Sequence, residues 1–583
     1  MGRSRPQAWG ISSVVRILGL VGATHDSGIA LLDDGRIEVV IEEERLLRQK
    51  RTKNFPSLSL AAALGPDGAG LAAIDYLVTP WDVKRLRKSF ARAVLGRLPG
   101  SLSLLSEATH KPQRNEIAIL NHYLTRKIRR DFPGQKSPPL INVGHHESHA
   151  ASFFVSPLEE AAVLVMDGYG DDAATSVFHG RGNRLERVWA SSFFNSLGMV
   201  YTFVTAYLGF EPVADEGKVM ALAAYGDGTY VEKFRKLVRL DPGGRYTVNM
   251  DYFSFDVYGE LRPFKRIFYD TFGAPRQPGS EIGDRHKAIA FALQKIAEET
   301  ILHIVNEIVR AQKTDQLVFS GGVALNCVAS ARILEQTQIK RLWVPPGASD
   351  TGTPLGACLW HHHQTLGHKR TFELKRADYG LAYSDDEIDR AIAAAGLSAE
   401  VLSDEELYAR VAADLARSAV VGWYQGRFEM GPRALGNRSI LADPRNPKMR
   451  DIINDKIKKR ESFRPFAPAV LAERASDLFF IDQPDPFMTI APCVKPEAAR
   501  LIPSAIHADG TGRIQTVSVE GNPRFHALIS EFARQTGVPV LLNTSFNRQE
   551  PIVASPAEAV SCFLRTKMDA LALGNRYIAA RKA

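Results

Sequence analysis

Cysteine is scarce in this chain: there are four in 583 residues, at Cys327, Cys358, Cys493 and Cys562. None is spaced to pair with another, which excludes a disulfide framework or a zinc finger and fits a reducing, cytoplasmic setting. Long apolar runs are missing too. Nothing approaches the roughly 18–20 residues that span a bilayer, so no membrane partner is expected. The first residues lack the apolar stretch of a signal peptide and read as a flexible N-terminal extension over 1–14. No known nucleic-acid motif or aromatic platform is present either. Residues 81–136 nevertheless carry thirteen Lys/Arg against four Asp/Glu, enough to account for the net charge of +8. This basic insertion reads as two solvated amphipathic helices, with Val83, Leu86, Phe90 and Val94 turned inward. Nucleic acid is therefore not expected as a partner. What remains, 45% hydrophobic and 24% charged, is the composition of a globular enzyme, and the length calls for two or more domains.

The stretch that organises the chain is Gly144-His145-His146-Glu147-Ser148-His149-Ala150-Ala151-Ser152. At i,i+4 on a helix, His145 and His149 share one face, about 5–6 Å apart at Cβ. A carboxylate follows at Asp167, where an apolar strand ends in the turn Asp167-Gly168-Tyr169-Gly170. Another stands at Asp350, in Ser349-Asp350-Thr351-Gly352. Two His and two Asp make a mixed N/O set that suits a divalent transition metal. His361, His362, His363 and His368 follow a helix end and read as a solvated terminus compatible with the helix dipole, not as a second metal site.

Around these residues the strand pattern repeats. Val15–Leu20, a Gly-rich turn, Ile29–Leu32, the Asp33-Asp34-Gly35 hairpin and Ile37–Ile41 form one unit. Ala161–Met166, the turn at 167–172, Ala174–Phe178, a Gly turn and Leu185–Ala190 form another. Such a duplication is the signature of an actin-like nucleotide-binding domain, whose facing turns, including Gly168, cradle phosphates. A long helix over 286–311 feeds the strand Leu317–Phe319, which ends in Gly321 and Gly322 and opens a helix, an arrangement that lets backbone approach a nucleotide. Residues 366–405 read as a connection. Beyond it, Arg433, Arg438, Arg464 and Arg513 sit beside Gly/Pro turns and apolar strands, where guanidinium groups hold phosphate or carboxylate. Lys456, Lys458, Lys459 and Arg460 lie on a helix that could present a solvated face.

Several linked motifs run through nearly the whole chain: Thr24-His25-Asp26, His145-xxx-His149-Ala150, Asp167-Gly168-xx-Asp171, Glu216-Gly217-Lys218-Val219-Met220, Gly321-Gly322-Val323, Ser349-Asp350, Gly431-Pro432-Arg433-Ala434-Leu435-Gly436, Arg464-Pro465-Phe466-Ala467-Pro468 and Asn543-Thr544-Ser545-Phe546-Asn547. Together they resemble the O-carbamoyltransferases of the nodulation protein U and cephalosporin carbamoyltransferase type. The resemblance implies an α/β protein of two domains. Residues 15–365 would be an actin-like domain similar to threonylcarbamoyl transferases, and 406–583 a YrdC-like α/β domain. The latter would make carbamoyl-adenylate from carbamoyl phosphate and ATP with Mg2+. The former would pass the carbamoyl group to a hydroxyl of a small-molecule acceptor, an antibiotic-type polyketide or a sugar. His145, His149, Asp167 and Asp350 would be the ligands of an iron-type metal, Fe2+, and His25 the general base. Arg433, Arg438, Lys458, Arg464, Arg513 and Ser545 would hold carbamoyl phosphate and ATP, with Lys458 and Arg464 catalytic. Gly168, Lys218, Gly321, Gly322 and Asn326 would contact nucleotide. A homodimer is compatible with this reading. The rival readings are a tRNA threonylcarbamoyl-type enzyme and an actin-like small-molecule kinase.

Overall fold

Apolar strands joined by tight polar turns build the same sheet twice. In the computed structural model, which describes residues 14–105 and 119–580, Arg16–Val21, Gly28–Asp33 and Arg36–Glu42 form an antiparallel meander. Tyr76–Thr79 and then Leu140–Asn142 add in parallel beside its first strand. Glu160–Met166, Thr175–Arg181 and Arg184–Ala190 repeat the meander, and Gln316–Ser320 and Arg341–Trp343 extend it in the same sense. The strand order is 3-2-1-4-5 within each unit, the duplication that the sequence repeat leads one to expect. The first strand of each unit, at the centre of its sheet, is covered on both faces, as parallel crossovers require; Ile17, Leu18, Val163 and Leu164 are fully buried.

Helices close over these sheets. The long one, Asp284–Gln312, buries Ile289, Leu293, Ile296, Thr300 and Ile304 along one stripe, the 3.6-residue period of its sequence. Each such apolar side chain contributes about 1.5–3 kcal/mol. Helix Thr353–Leu359 is built of small residues for a reason. A Cβ at Gly356 would collide with the Ser148 carbonyl, so only glycine lets this helix lie against His145–Ala150. That close approach brings Asp350, in the turn three residues before Thr353, to the two histidines.

The rest of the chain forms a mixed eight-stranded sheet. Its order is Glu400–Val401, Arg576–Ala579, Ala570–Leu573, Val421–Tyr424, Arg438–Ala442, Val540–Ser545, Ala467–Leu471 and Gln515–Val517. Part of the segment expected as a connection belongs to this layer. Glu400–Val401 is its edge strand, and Ile388 and Ile392 of helix Asp385–Ala394 are buried in its core.

Helices Val83–Leu95 and Leu120–Asp131 match the amphipathic reading of the basic segment: Val83 and Val94 are buried, Leu86 and Phe90 half-buried. Positions 106–118 of that segment, and 1–13 of the expected extension, lie outside the described residues. Among the described residues no helix is long and apolar enough to cross a membrane. The histidines at 361–363 depart from expectation. They are 3%, 2% and 2% exposed, because the helix continues as a π-turn over Trp360–Thr365 that swings the rings inward.

Candidate active site

His145 and His149 open onto one point. Their Nε2 atoms are 3.2 Å apart. Asp167 Oδ2 lies 3.1 and 3.3 Å from them, and Asp350 Oδ1 3.4 and 3.5 Å. Neighbouring donors on one ion with bonds near 2.1 Å should be about 3.0–3.4 Å apart. The five separations given are at or close to that spacing, so the set could hold a divalent transition ion.

The surroundings fix each donor. His145 Nδ1 lies 3.2 Å from the Pro80 carbonyl, which can only accept, so Nδ1 carries a proton and, once the ring gives up its second proton, Nε2 is the nitrogen that would offer a lone pair to an ion. Trp81 stacks on the ring at 4.1 Å. The buried Asp171 carboxyl accepts the His145 backbone N–H at 2.7 Å and caps the helix; burial pushes this acid up to about 8. Asp167 turns its other oxygen to the Gly322 N–H at 3.1 Å. Burial alone would lower the two histidines, but Asp350 and Asp167 outweigh it and hold both above the ordinary imidazole range. The same histidines hold Asp167 and Asp350 below the usual carboxylate range against the upward push of burial.

His25 joins this cage. Its Nε2 is 3.9 Å from Asp350 Oδ2, so Asp350 faces the imidazole pair with one oxygen and His25 with the other. Its Nδ1 is 3.2 Å from Asp26 Oδ2, a carboxylate that orients the ring and leaves Nε2 toward the open side. Burial would depress this imidazole, yet the bond to Asp26 and the charge of Asp350 raise it to about 9.

The glycines at 321 and 322 serve the chain's own contacts. Gly321, at φ +91°, packs on the Met166 backbone where a Cβ would collide, and Gly322 supplies the N–H that aims Asp167. The Gly168 carbonyl accepts from Ser196 Oγ at 2.6 Å. Asn326 caps helix Cys327–Gln336 and exchanges hydrogen bonds with Gln294 at 2.9 and 3.1 Å. Lys218 stands apart from these, paired with Asp215 at 2.9 Å and Glu461 at 3.1 Å.

Beside the cage lies a basin of guanidinium groups. Burial and the charges of Arg513 and Arg464 press Arg433 down to about 9. Burial, Arg464 and Arg513 do the same to Arg460. Among the described residues Arg433 and Arg513 have no hydrogen-bond or ion-pair partner, and Arg513 Nε is buried bare. Of the carboxylates that act on Arg464, Glu461 is 3.9 Å away and already holds Lys218, and Asp215 is paired with the same lysine. Such crowding of like charge is costly unless an anion enters. Arg460, read as part of a solvated face, instead lies over the Phe466 ring at 4.5 Å.

Two expected members of the basin face the protein. Arg438 is fully buried and donates to the carbonyls of Gln425 (2.7 Å), Asn437 (3.0 Å), Gly426 (3.0 Å) and Ala554 (3.3 Å), with Tyr424 stacked at 3.6 Å. Its fork is used up by backbone and is not offered to a ligand. We expect Arg438→Met to cost about 3 kcal/mol or more, because stripped carbonyls lose 1–3 kcal/mol each. Urea denaturation reads this directly, and unchanged stability would return Arg438 to the basin. Lys458 is likewise buried. Its Nζ reaches Ser545 O (2.6 Å) and Oγ (3.2 Å) and Asn547 O (2.8 Å) and Oδ1 (2.8 Å). Burial, then Arg460 and Arg464, hold this ammonium well below its ordinary value. It fixes the 545–547 turn that carries Ser545.

The charged run Glu42–Arg45 gave no signal in the sequence, yet it joins the two parts. Glu42 Oε1 accepts the Gly431 N–H at 2.5 Å, and Arg45 donates to the Gly431 carbonyl at 2.8 Å. Gly431, at φ +86°, packs on the backbone of Pro346 and Gly347, a few residues before Asp350. The turn at 321–327 likewise lies between the two places: Gly322 holds Asp167, and Cys327 is near enough to Arg513 and Arg433 for their charges to act on its thiol. Cage and basin share a wall.

The structure thus sets a two-His, two-Asp cage near arginines that have no partner among the described residues, in a mixed α/β protein. The chain belongs to the carbamoyltransferase family: residues 16–359 match the carbamoyltransferase N-terminus and 412–580 the carbamoyltransferase C-terminus. It is similar to an uncharacterized protein of Synechocystis, 38% identical over 97% of each chain. It is also similar to nodulation protein NolNO of Sinorhizobium fredii, 34% identical over 96% of this chain and 79% of that one, and to nodulation protein U of the same species, 28% identical over 91% and 94%. Full-length HypF in its phosphate- and nucleotide-bound form aligns over 61% of this chain and 56% of its own at TM-score 0.33 and 12% identity, too loose a likeness to define a fold. The protein is thus a carbamoyltransferase.

Proposed function

We propose that the enzyme transfers a carbamoyl group to a hydroxyl in two stages, one for each end of the shared wall. Residues 15–365 act as the actin-like transfer domain and 406–583 as the YrdC-like activating domain. In the basin, carbamoyl phosphate gives up phosphate to water, and the carbamate oxygen attacks the α-phosphorus of ATP, expelling pyrophosphate and leaving carbamoyl-adenylate. Arg433, Arg464 and Arg513, with Arg460, neutralise charge that moves between these oxygens. Ser545, on the turn fixed by Lys458, adds a hydroxyl donor once its O–H turns from Asn547 Oδ1, which accepts it at 2.8 Å, to the ligand. At the cage, the acceptor hydroxyl attacks the carbamoyl carbon, AMP leaves and the hydroxyl proton passes to Nε2 of the neutral form of His25, the form that a cation held by Asp350 and Asp167 would favour by offsetting the charges that raise this imidazole. An alcohol is a poor nucleophile until that proton is taken. A divalent ion held by His145, His149, Asp167 and Asp350, with Fe2+ as the first choice, would supply Lewis acidity there. The Gly168 turn and the helix behind Asn326 border the nucleotide's path, and Lys218 reaches it only by giving up both Asp215 and Glu461. The acceptor is a hydroxylated small molecule such as a polyketide or sugar.

The observation that carries this reading is the pair Arg433 and Arg513, without hydrogen-bond or ion-pair partners among the described residues, on the side of the 321–327 turn opposite Asp167. Protein supplied with carbamoyl phosphate, Mg2+-ATP and Fe2+ should release AMP and pyrophosphate. With a hydroxylated acceptor it should form a product heavier by one carbamoyl in place of one hydrogen. ADP as the only nucleotide product would mean a kinase and end the proposal.

A further inference from the structure

The helical segment that begins just after Asp350 ends in a second set of donors. Its π-turn, Trp360–Thr365, buries three imidazoles in a row. A buried imidazole normally spends both nitrogens on partners. Here both nitrogens of His361 and Nδ1 of His362 have none. His362 and His368 stack nearly parallel, 4.5 Å apart and 14° between planes. The hairpin turn Asp34-Gly35 of the first sheet closes over them. Gly35, at φ +81°, sits where a Cβ would come within 2.8 Å of His362 Nε2, so glycine keeps that nitrogen open. Asp34, on the same turn at φ 44° and exposed, adds a carboxylate with no partner among the described residues. One donor atom from each of Asp34, His362 and His368 lies within 4.8 Å of the others.

We propose that Asp34, His362 and His368 form a second divalent transition-metal site, separate from the His145 cage, which staples the first hairpin to the far end of the helical segment that begins after Asp350. Two imidazoles and a carboxylate favour an ion of the Zn2+, Co2+ or Ni2+ class over Mg2+ or Ca2+. Bonds near 2.1 Å require donors about 3.0–3.4 Å apart. The set closes to that spacing by rotation of the exposed Asp34 and the half-buried His368, while the buried His362 stays fixed. The segment from Thr353 to Thr365 is about 20 Å long, which keeps the two sites from sharing a ligand.

The test uses the metal alone on full-length, metal-stripped protein, and is independent of carbamoyl transfer. Titration with Zn2+ should give two equivalents for the wild type and one for the double variant His145→Ala/His149→Ala. That remaining ion should raise the melting temperature of this variant. Adding Asp34→Asn and His368→Asn, at exposed and half-buried positions that the fold tolerates, should weaken the remaining site at least 100-fold and abolish the shift. Cobalt absorption in the visible range gives an independent count. If His145→Ala/His149→Ala binds no ion, or if Asp34→Asn/His368→Asn leaves the second equivalent and its thermal shift intact, the site does not exist.

Discussion

Arg513→Met should lower carbamoyl phosphate-dependent AMP formation about 10²- to 10³-fold, the cost of one preorganised donor to developing charge, while leaving the apoprotein as stable as the wild type or more so. Activity and stability part company because of what surrounds the residue. Arg513 Nε is buried without a partner, and its charge depresses Arg433, Arg460 and Arg464 alike. Removing one cation from such a group relieves repulsion, and the protein loses only what it was keeping for a ligand. Pyrophosphate supplies a second readout. It should raise the melting temperature of the wild type, as any ligand of the folded state does, and raise that of Arg513→Met far less. A merely structural arginine behaves in the opposite way, as Arg438→Met should: it loses stability first and activity only as a consequence. If Arg513→Met melts several degrees low and pyrophosphate stabilises it as it does the wild type, the basin is a packing feature and the activation step lies elsewhere.

The duplicated sheet was legible because hairpins announce themselves. Asp34-Gly35 and Gly182-Asn183 sit between apolar runs of strand length, and each turn needs a residue that tolerates positive φ, as Gly35 (+81°) and Gly182 (+56°) do. The cage was legible for a similar local reason. The i,i+4 histidines and a carboxylate at a strand end are short-range patterns, and Asp350 closes the set. Arg438 was not legible. An arginine beside a Gly turn reads the same whether it faces a ligand or the carbonyls of Gln425, Gly426 and Ala554, and the last of these comes from 116 residues away. Arg460 and His361–His363 failed for one shared reason. Both follow or occupy π-turns, Asn454–Lys458 and Trp360–Thr365. Each residue of a helix turns the face by about 100°, so widening one turn moves residues read as solvated into the interior. The Glu42–Arg45 clamp was silent because a charged run reads as surface unless its buried partners are known.

The second large effect is expected at Asp350→Asn, which keeps the side chain's size and removes its charge. One oxygen of Asp350 faces both imidazoles at 3.4 and 3.5 Å, and the other lies 3.9 Å from His25, so under the proposed roles this single change would strip a ligand from the cage and an anion from the base. Metal affinity should fall by more than the 10- to 100-fold that even an outer-sphere partner is worth. Transfer to the acceptor hydroxyl should fall about 10³-fold or more, since the ion's Lewis acidity and proton removal, worth roughly 10²–10⁴ by itself, are impaired together. AMP and pyrophosphate release in the absence of acceptor should stay within about threefold of wild type, because the arginines that serve it are untouched and activated carbamate leaks to water. A chelator selective for transition ions over Mg2+ should reproduce the variant on wild-type protein. Asn at 350 keeps the helix that packs through Gly356 on Ser148, so the melting temperature controls for misfolding. Loss of AMP formation in step with loss of transfer would mean that one centre performs both reactions, and the two-stage assignment would have to be abandoned.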